Sequence, residues 1–266
     1  MSMLRFSKYQ GTGNDFLLGD NRAGLYQDLS QQQIQKICDR RFGIGADGLI
    51  LLENNEHADF SMKYFNANGH PGSFCGNGAR CITKFAAALG IISDNCTFSA
   101  SDGPHRSIIE KNGMISLLMQ DVVDMERQQE HIVVNTGSPH LVLFVDDINK
   151  TDVVTVGKSI RYSEAYNQQG INVNFVQRTD DPTSILLRTY ERGVEDETLS
   201  CGTGSVAAAL VCAPALDGPT QITVQTKGGP LIIRFVKENN RYHSIWLCGP
   251  AEPVFETHID PQKLIA

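Results

Sequence analysis

Apolar and polar residues alternate along much of this chain in short stretches, beginning at residues 4–9. A period of two predicts half-buried strands, whereas the few longer apolar stretches have helical spacing. The predicted strands lie at 4–9, from 16, 49–52, 60–65, 96–101, 106–110, 114–119, 131–135, 140–145, 172–176, 185–190, 220–226, 231–236, 243–248 and 253–259. This succession of elements predicts an α+β fold.

The helical stretches are short and have recognisable ends. Ser30 is a suitable N-cap for a helix that runs through Cys38 and ends in the basic pair Arg40 and Arg41. A second short helix is predicted at 154–161. These two helices are secondary to a pair of more apolar ones.

Two helices begin with the same motif, Cys-Gly-x-Gly, followed by an alanine-rich apolar run. The motifs are Cys75-Gly76-Asn77-Gly78 and Cys201-Gly202-Thr203-Gly204. The first helix should close near Gly90, and Pro214 should stop or kink the second. Because neither helix has a strongly polar face, we expect each to be enclosed by a sheet.

The order of elements repeats around these motifs, which suggests a duplication. A predicted strand ends at Asn66 or Glu191, and a loop then leads to Cys75 or Cys201. We therefore predict two pseudo-symmetric halves, each a curved, mostly antiparallel sheet around one apolar helix, with the active site in the cleft between them. The predicted domains are 1–120, joined by the C-terminal segment 253–266, and 121–252.

A cysteine at the start of a helix has distinctive chemistry. Backbone N–H groups in the first turn lack intrahelical partners, and the helix dipole adds positive potential there. A carboxylate can bind at such a place, and a thiolate is favoured. Cys75 and Cys201 are therefore candidate bases, although a single cysteine of this kind is more often a buried structural thiol.

Bulk composition limits the classes of function. Hydrophobic residues make up 41% and charged residues 20% of 266 residues, which is typical of a globular protein with a sizeable core. The net charge of −7 argues against nucleic acid or an anionic membrane as the main partner. We found no apolar run long enough to span a bilayer and no signal segment, so we expect a cytoplasmic protein.

The remaining cysteines fit structural roles. Cys38, Cys96, Cys212 and Cys248 lie in apolar or strand-like surroundings and are expected to be inert and reduced. Cys75 and Cys81 could be read as metal ligands, but the expected second close-spaced pair is missing, so no metal site is predicted.

The motifs together resemble the diaminopimelate epimerase family over nearly the whole chain. The resemblance rests on the two cysteine motifs and on Gly11-Thr12-Gly13-Asn14-Asp15-Phe16, Gly43-Ile44-Gly45-Ala46-Asp47, Phe65-Asn66-Ala67-Asn68-Gly69, Gly137-Ser138-Pro139-His140, Asn172-Val173-Asn174-Phe175 and Glu191-Arg192-Gly193. The cysteine motifs alone would also fit proline racemases and phenazine-biosynthesis-type isomerases.

The resemblance implies interconversion of LL- and meso-diaminopimelate without pyridoxal phosphate or any other cofactor, in lysine and cell-wall precursor biosynthesis. It implies that Cys75 and Cys201 act as a thiolate and a thiol at one α-carbon, and that the protein is a homodimer. Inversion at this carbon needs a nearby base and stabilisation of the developing negative charge.

The resemblance also assigns the substrate contacts. The N–H groups of Gly76, Asn77, Gly202 and Thr203 would hold the α-carboxylate, Asn14 and Glu191 the reacting ammonium, and Asn66, Asn172 and Arg192 the distal end. His140 is a candidate supporting residue. Two positions depart from the expected pattern, with Gly48 where Gln is frequent and Ser138 where Asn is frequent, so a neighbour or water would replace those contacts.

Two other functions remain open from the residues. A related racemase or isomerase could act on proline, hydroxyproline or another small metabolite, although such a substrate would not need Arg192 and three Asn residues at a distal end. A thiol redox or binding protein could use the same two cysteines. The epimerase hypothesis predicts loss of activity if a Cys75–Cys201 disulfide forms.

Overall fold

The computed structural model describes residues 3–213 and 217–260, which divide into two compact units. The first unit lies within 1–117 and 250–266, and the second within 118–249. The helices of the described residues are α1 (Gln31–Cys38), α2 (Gly76–Ala88), α3 (Val153–Arg161) and α4 (Gly202–Val211). The strands are β1 (Leu4–Gly11), β2 (Asn14–Asp20), β3 (Gly48–Glu53), β4 (Phe60–Asn66), β5 (Asn95–Ala100), β6 (Gly103–Ile109), β7 (Ile115–Leu118), β8 (Glu126–Arg127), β9 (His131–Asn135), β10 (Pro139–Phe144), β11 (Asn172–Arg178), β12 (Ser184–Glu191), β13 (Asp196–Thr198), β14 (Gly218–Thr226), β15 (Gly229–Glu238), β16 (Arg241–Gly249) and β17 (Glu252–Ile259).

The two units repeat one topology. In the first, β1 and β2 are antiparallel, β2 and β3 parallel, β3 and β4 antiparallel, and β4 and β5 parallel. In the second, β9, β10, β11, β12 and β14 pair in the same sequence of directions. Antiparallel pairs complete each set through β6 and β7 or through β15 and β16. The predicted α+β class with two similar halves is therefore confirmed.

Each unit also gains one strand outside the repeat. β17 pairs with β1 in antiparallel register, so the last described strand belongs to the first unit. The two-residue strand β8 pairs with β9 at the corresponding edge of the second unit. Neither β8 nor β13 was predicted, because strands of two or three residues are too short to show a period.

The cysteine helices are the central helices of their units, as the apolar runs predicted. α2 packs against β1, β2, β3 and β6, and α4 packs against strands from β9 to β16. Residues Val206–Val211 of α4 are buried without exception, because an all-apolar helix must be enclosed on every side. Pro214, which was expected to end α4, lies outside the described residues, and α4 has already ended at Val211.

The start of α1 was predicted correctly and its end was not. Ser30 accepts a hydrogen bond from the Gln33 N–H, and the Gln33 side chain accepts one from the Ser30 N–H, which makes a capping box. The helix ends at Cys38, before the basic pair, because Asp39 is extended and its carboxylate accepts hydrogen bonds from the N–H groups of Arg41 and Phe42. Across the described residues, no helix has the length and apolar character to cross a membrane.

Candidate functional site

Cys75 and Cys201 occupy equivalent positions in the repeat. Each is the N-cap of its helix, with φ −124° and ψ 114° at Cys75 and φ −114° and ψ 115° at Cys201. In both, the carbonyl oxygen accepts the first helical hydrogen bond, from Ala79 N–H or Ser205 N–H. Neither side chain makes a capping hydrogen bond to its own helix.

The second glycine of each motif lets its helix approach the sheet closely. A Cβ on Gly78 would lie 2.7 Å from Ile50 Cδ1, and a Cβ on Gly204 would lie 2.5 Å from Asn174 Oδ1. A side chain there would require Ile50 or Asn174 to move, or the helix start and its cysteine to shift away from the strands. The glycines therefore fix where the two sulfurs lie.

The residues after each cysteine form the first helical turn. Gly76, Asn77 and Gly202 are buried and Thr203 is half-buried, and their N–H groups belong to the set that no intrahelical carbonyl can satisfy. With the helix dipole, such N–H groups favour an anion. The two helix starts can therefore each hold a carboxylate oxygen.

The Cys75 sulfur lies beside an oxygen that can only accept. Its Sγ is 3.6 Å from Asn14 Oδ1, which also accepts from Asn77 Nδ2 at 3.2 Å. The Asn14 amide orientation is fixed because its Nδ2 donates to Asp47 Oδ2 at 2.7 Å. An acceptor beside sulfur favours the protonated thiol, since only S–H can donate to it.

A charge cluster holds Asp47 and so Asn14. Arg40 contacts Asp47 at 2.8 Å and Asp15 at 2.5 Å, and Lys8, which is nearly buried, pairs with Asp15 at 2.6 Å. Burial raises the pKa of Asp15, but hydrogen bonds from Arg40 and Lys8 outweigh it and hold this pKa far below its usual range. Asp15 therefore stays ionised over the physiological pH range.

The start of β2 places Asn14 beside this cluster. Gly11 and Asn14 face each other across the two-residue turn Thr12-Gly13, in which both φ angles are positive, at 51° and 84°. Turns of this kind match the twist of a hairpin. Buried Arg80 of α2 donates to Thr12 Oγ1 at 3.1 Å, which ties the turn to the cysteine helix.

Cys201 is a buried residue, only 6% exposed, and its sulfur has a different neighbour. Its Sγ lies 3.6 Å from the hydroxyl of Thr203, which lies 2.9 Å from His140 Nε2. His140 Nδ1 is 3.0 Å from Asn174 Nδ2. These contacts form a buried chain from β11 through β10 to the start of α4.

The direction of this chain follows from its first member. Asn174 Nδ2 also donates to the Leu141 carbonyl at 3.1 Å, and Asn174 Oδ1 accepts from Thr189 at 3.0 Å, so the amide orientation is determined. His140 is fully buried, and this burial, with a smaller effect of Arg192, lowers its pKa to about 3. The imidazole is therefore neutral and its Nδ1 accepts from Asn174.

The tautomer then directs the Thr203 hydroxyl toward the sulfur. With Nδ1 as acceptor, Nε2 carries the proton and donates to Thr203 Oγ1. The Thr203 proton can then be donated to Cys201 Sγ. A donor beside sulfur favours the thiolate, so the two cysteines differ in the charge state that their neighbours favour.

Other predicted contact residues gather in the second unit. Asn172 Nδ2 donates to Ser138 Oγ at 2.9 Å, and the Arg192 N–H donates to Asn172 Oδ1 at 2.9 Å. Arg192 Nη2 donates to Ser138 Oγ at 3.3 Å and Nη1 to the Gln169 carbonyl at 2.8 Å. Ser138, shorter than the expected Asn, therefore still joins Asn172 to the guanidinium. Glu191 accepts from Thr198 Oγ1 at 2.9 Å.

Asn66 ends β4 and is exposed. It lies opposite Gly48 in the β3–β4 register, and Gly48 lies beside Phe16 in β2. Asn14, at the start of β2, is thus at the same end of the sheet as Asn66. The first unit brings Asn14, Cys75 and Asn77 into contact, with Asn66 nearby.

The structure adds residues that the sequence analysis did not single out. Asn174 directs His140, and Asp47 directs Asn14, although both lay inside motifs that carried the resemblance. Asn174 could have been noticed as a polar residue in an otherwise apolar strand. Burial raises the pKa of the Cys38 and Cys81 thiols to about 12 and that of Cys212 to about 11, which fits inert thiols.

Solved structures with the same fold include proteins of distant sequence. A phenazine biosynthesis protein of Bacillus anthracis matches with a TM-score of 0.73 and 16% identity, covering 98% of this chain and 100% of that one. A hydroxyproline epimerase from Agrobacterium vitis matches with a TM-score of 0.68 and 12% identity, over 98% and 94%. These likenesses establish the fold.

The fold and the sequence relatives define an isomerase of the racemase and epimerase class. A diaminopimelate epimerase of Flavobacterium psychrophilum is 49% identical over 96% of this chain and 100% of its own length. Another, of Chlorobaculum tepidum, is 42% identical over 92% and 97%. The sequence model of the diaminopimelate epimerase family matches residues 6–125 and 132–254, and the chain belongs to that family.

Proposed function

We propose that the chain interconverts LL- and meso-diaminopimelate by proton transfer between Cys75, Cys201 and one α-carbon. The observation that carries this proposal is the repeated geometry, in which each cysteine caps a buried helix opened by glycines. A duplicated base is what inversion at a single carbon requires, because one group removes a proton and the other returns one on the opposite face.

The proton balance of one inversion closes within the two cysteines and the substrate. It leaves the protonation states of the two cysteines exchanged, so a proton exchange with solvent restores the starting state before the next turnover. A thiolate takes the α-hydrogen and becomes a thiol, while the electron pair of the broken C–H bond delocalises into the α-carboxylate. The second thiol gives its proton to the carbon and becomes a thiolate. N–H groups of Gly76, Asn77, Gly202 and Thr203 stabilise the charge that develops on the carboxylate.

The neighbours of the two sulfurs support different starting states. Cys201, beside the Thr203 hydroxyl, is the thiolate in the substrate-free enzyme, and Cys75, beside Asn14 Oδ1, is the thiol. The pair titrates as a coupled system, so the first ionisation belongs mainly to Cys201. Cys201 then removes the α-hydrogen of one stereoisomer, and Cys75 removes that of the other in the state in which Cys75 is the thiolate and Cys201 the thiol.

The remaining polar residues fit a substrate with two amino-acid ends. Asn14 and Glu191 hold the reacting ammonium, while Asn66, Asn172 and Arg192 hold the distal end. The planar guanidinium of Arg192 suits a carboxylate, and its contact with Ser138 keeps it in place. Membership of the family extends the proposal to lysine and cell-wall precursor biosynthesis and to a homodimer, which light scattering on a sizing column tests.

The test is proton NMR of LL-diaminopimelate with reduced protein in deuterated water. We expect the α-proton signal to disappear and the meso form to appear, without added pyridoxal phosphate. Cys75→Ala and Cys201→Ala should each lower the rate by about 100- to 10,000-fold, the range for a lost acid or base. Cys212→Ala, at a buried thiol outside the site, is the matched control and should retain the rate.

Each other outcome has a definite meaning. Exchange of proline or hydroxyproline with diaminopimelate unchanged would contradict the proposed substrate and retain the chemistry. Full activity of either cysteine variant would contradict the two-base mechanism.

A further inference from the structure

Position 48 has a counterpart in the second unit that carries a functional side chain. Gly48 lies opposite Asn66 in β3–β4 and beside Phe16 in β2–β3. In the second unit, Asn172 takes the equivalent place. It lies beside His140 in the β10–β11 pairing, and it directly precedes Val173, which pairs with Tyr190 in β11–β12. The Asn172 side-chain amide is hydrogen-bonded to Ser138 and to the Arg192 N–H, whereas Gly48 has no side chain.

A ring from the neighbouring strand occupies the space at position 48. A Cβ on Gly48 would lie 2.4 Å from the Phe65 carbonyl oxygen, 2.5 Å from Tyr64 Cε2 and 3.1 Å from the Tyr64 hydroxyl oxygen. The opposite edge of the same ring faces Gly72, whose Cβ would lie 2.3 Å from Tyr64 Cδ1. Tyr64 is thus inserted between two glycines, and its hydroxyl oxygen lies 3.1 Å from the point where a side chain at position 48 would begin.

The local backbone holds this ring in place. Gly72 N–H donates to the Tyr64 carbonyl at 2.9 Å, so the loop before Cys75 folds back on the end of β4. Phe16 packs edge-on against Tyr64, with ring centroids 5.9 Å apart. The ring is therefore fixed by β2, β3 and the loop together.

The neighbours of Tyr64 indicate which end of a substrate it would contact. A Cβ on Gly72 would touch both the Tyr64 ring and Asn66 Oδ1, the latter at 3.2 Å, so these two side chains are adjacent. Asn66 is one of the residues proposed above for the distal end. Asn14, proposed for the reacting end, contacts Cys75 instead.

We infer that Tyr64 is a specificity-determining residue whose hydroxyl binds the distal amino-acid end of the substrate in place of a side chain at position 48. This inference rests on the proposed function. A phenol can donate to the distal carboxylate or accept from the distal ammonium, so it matches either group.

The direct test is Tyr64→Phe, which removes one oxygen and retains the ring that fills the space between the glycines. We expect the KM for diaminopimelate to rise about 10-fold, the effect of one lost hydrogen bond, with kcat changed much less. The inhibition constant of 2-aminohexanoate, which lacks the distal ammonium and carboxylate, should stay the same. Tyr162→Phe, at a half-exposed ring, is the matched control and should change neither constant.

Three results would overturn the inference. An unchanged KM in Tyr64→Phe, with active wild-type protein, would show that the hydroxyl does not bind substrate. An equal rise in the inhibition constant of 2-aminohexanoate would show that Tyr64 only shapes the site. The wild-type protein is measured first. If it exchanges no diaminopimelate proton, the proposed function itself is contradicted, and with it the inference.

Discussion

The two cysteine helices rest on sheets of the same topology but on different side chains. Beneath α4, His140 and Asn174 form a buried polar chain to Thr203 and Cys201. Beneath α2, the corresponding register positions hold Phe16 and Ile50. In the first unit the polar neighbour of the cysteine is instead Asn14, at the start of β2, whose Oδ1 lies beside the Cys75 sulfur.

This difference shows how a duplicated scaffold can supply two unlike groups. The two cysteines have similar N-cap backbone angles, so we attribute the proposed difference in their charge states to their neighbours. An acceptor faces Cys75 and a directed hydroxyl faces Cys201. The proposed two-base epimerisation needs one thiol and one thiolate at the start of a turnover.

The largest expected effect comes from replacing His140 with Phe, the residue type at the equivalent position 16 of the first unit. His140→Phe removes the Nε2–H that directs Thr203, so the Thr203 proton is no longer held toward the Cys201 sulfur. We expect kcat/KM at neutral pH to fall at least about 10-fold, the effect of one pKa unit. The acidic limb of the pH profile should move to higher pH, which a purely structural loss would not cause.

The neighbours of the two sulfurs should have opposite effects on the two thiols. Thr203→Val removes a donor and should raise the pKa of Cys201, whereas Asn14→Ala removes an acceptor and should lower that of Cys75. Shifts of about one unit are expected in a ¹³Cβ cysteine titration. Thr203→Ser keeps the hydroxyl and is the control, and shifts of the same sign in both variants would contradict the comparison.

Buried His140 should also make the protein sensitive to acid. Its folded pKa of about 3 lies below the ordinary 6.5, so between these values the unfolded chain binds a proton that the folded chain does not. Stability should therefore fall as pH decreases from about 6.5 toward 3, by at most about 1.4 kcal/mol per pH unit from this group. Urea unfolding at a series of pH values measures this effect. The free energy of unfolding should depend less steeply on pH in His140→Phe than in the wild type, and an equal pH dependence would contradict a neutral buried imidazole.

The smallest expected effect is a difference in the free energy of unfolding between Gly78→Ala and Gly204→Ala. Gly78→Ala meets the flexible tip of Ile50, whereas Gly204→Ala meets Asn174 Oδ1, whose amide is held by hydrogen bonds to His140, Leu141 and Thr189. We expect Gly204→Ala to cost about 2 kcal/mol of unfolding free energy and Gly78→Ala about 1 kcal/mol. Equal costs in denaturant titrations would mean that Asn174 moves as easily as Ile50.

Local patterns predicted the elements and the cysteine motifs well. The apolar runs after Cys75 and Cys201 predicted central helices, and Ser30 predicted a helix start, because each signal lies within a few residues of the feature it determines. Asp39 ended α1 earlier than expected because its carboxylate binds the next N–H groups, which competes with helix continuation.

The side-chain contacts between neighbouring strands could not be predicted in the same way. The contact of Asn174 with His140 depends on parallel pairing of β10 and β11, and that of Asn14 with Asp47 on β2 and β3. The place of Tyr64 depends on two glycines from different segments. Such contacts follow from tertiary pairing, which the period of a single strand does not specify.

The most direct test of the unequal pair is a pH titration of the substrate-free, reduced protein labelled with ¹³C at cysteine Cβ, with signals assigned from Cys75→Ser and Cys201→Ser. Burial raises the pKa of Cys38, Cys81 and Cys212 to about 11 or 12, so these thiols should not titrate near neutral pH. Cys201 should ionise first, with Cys75 at clearly higher pH. Ionisation of Cys75 before Cys201 would contradict it.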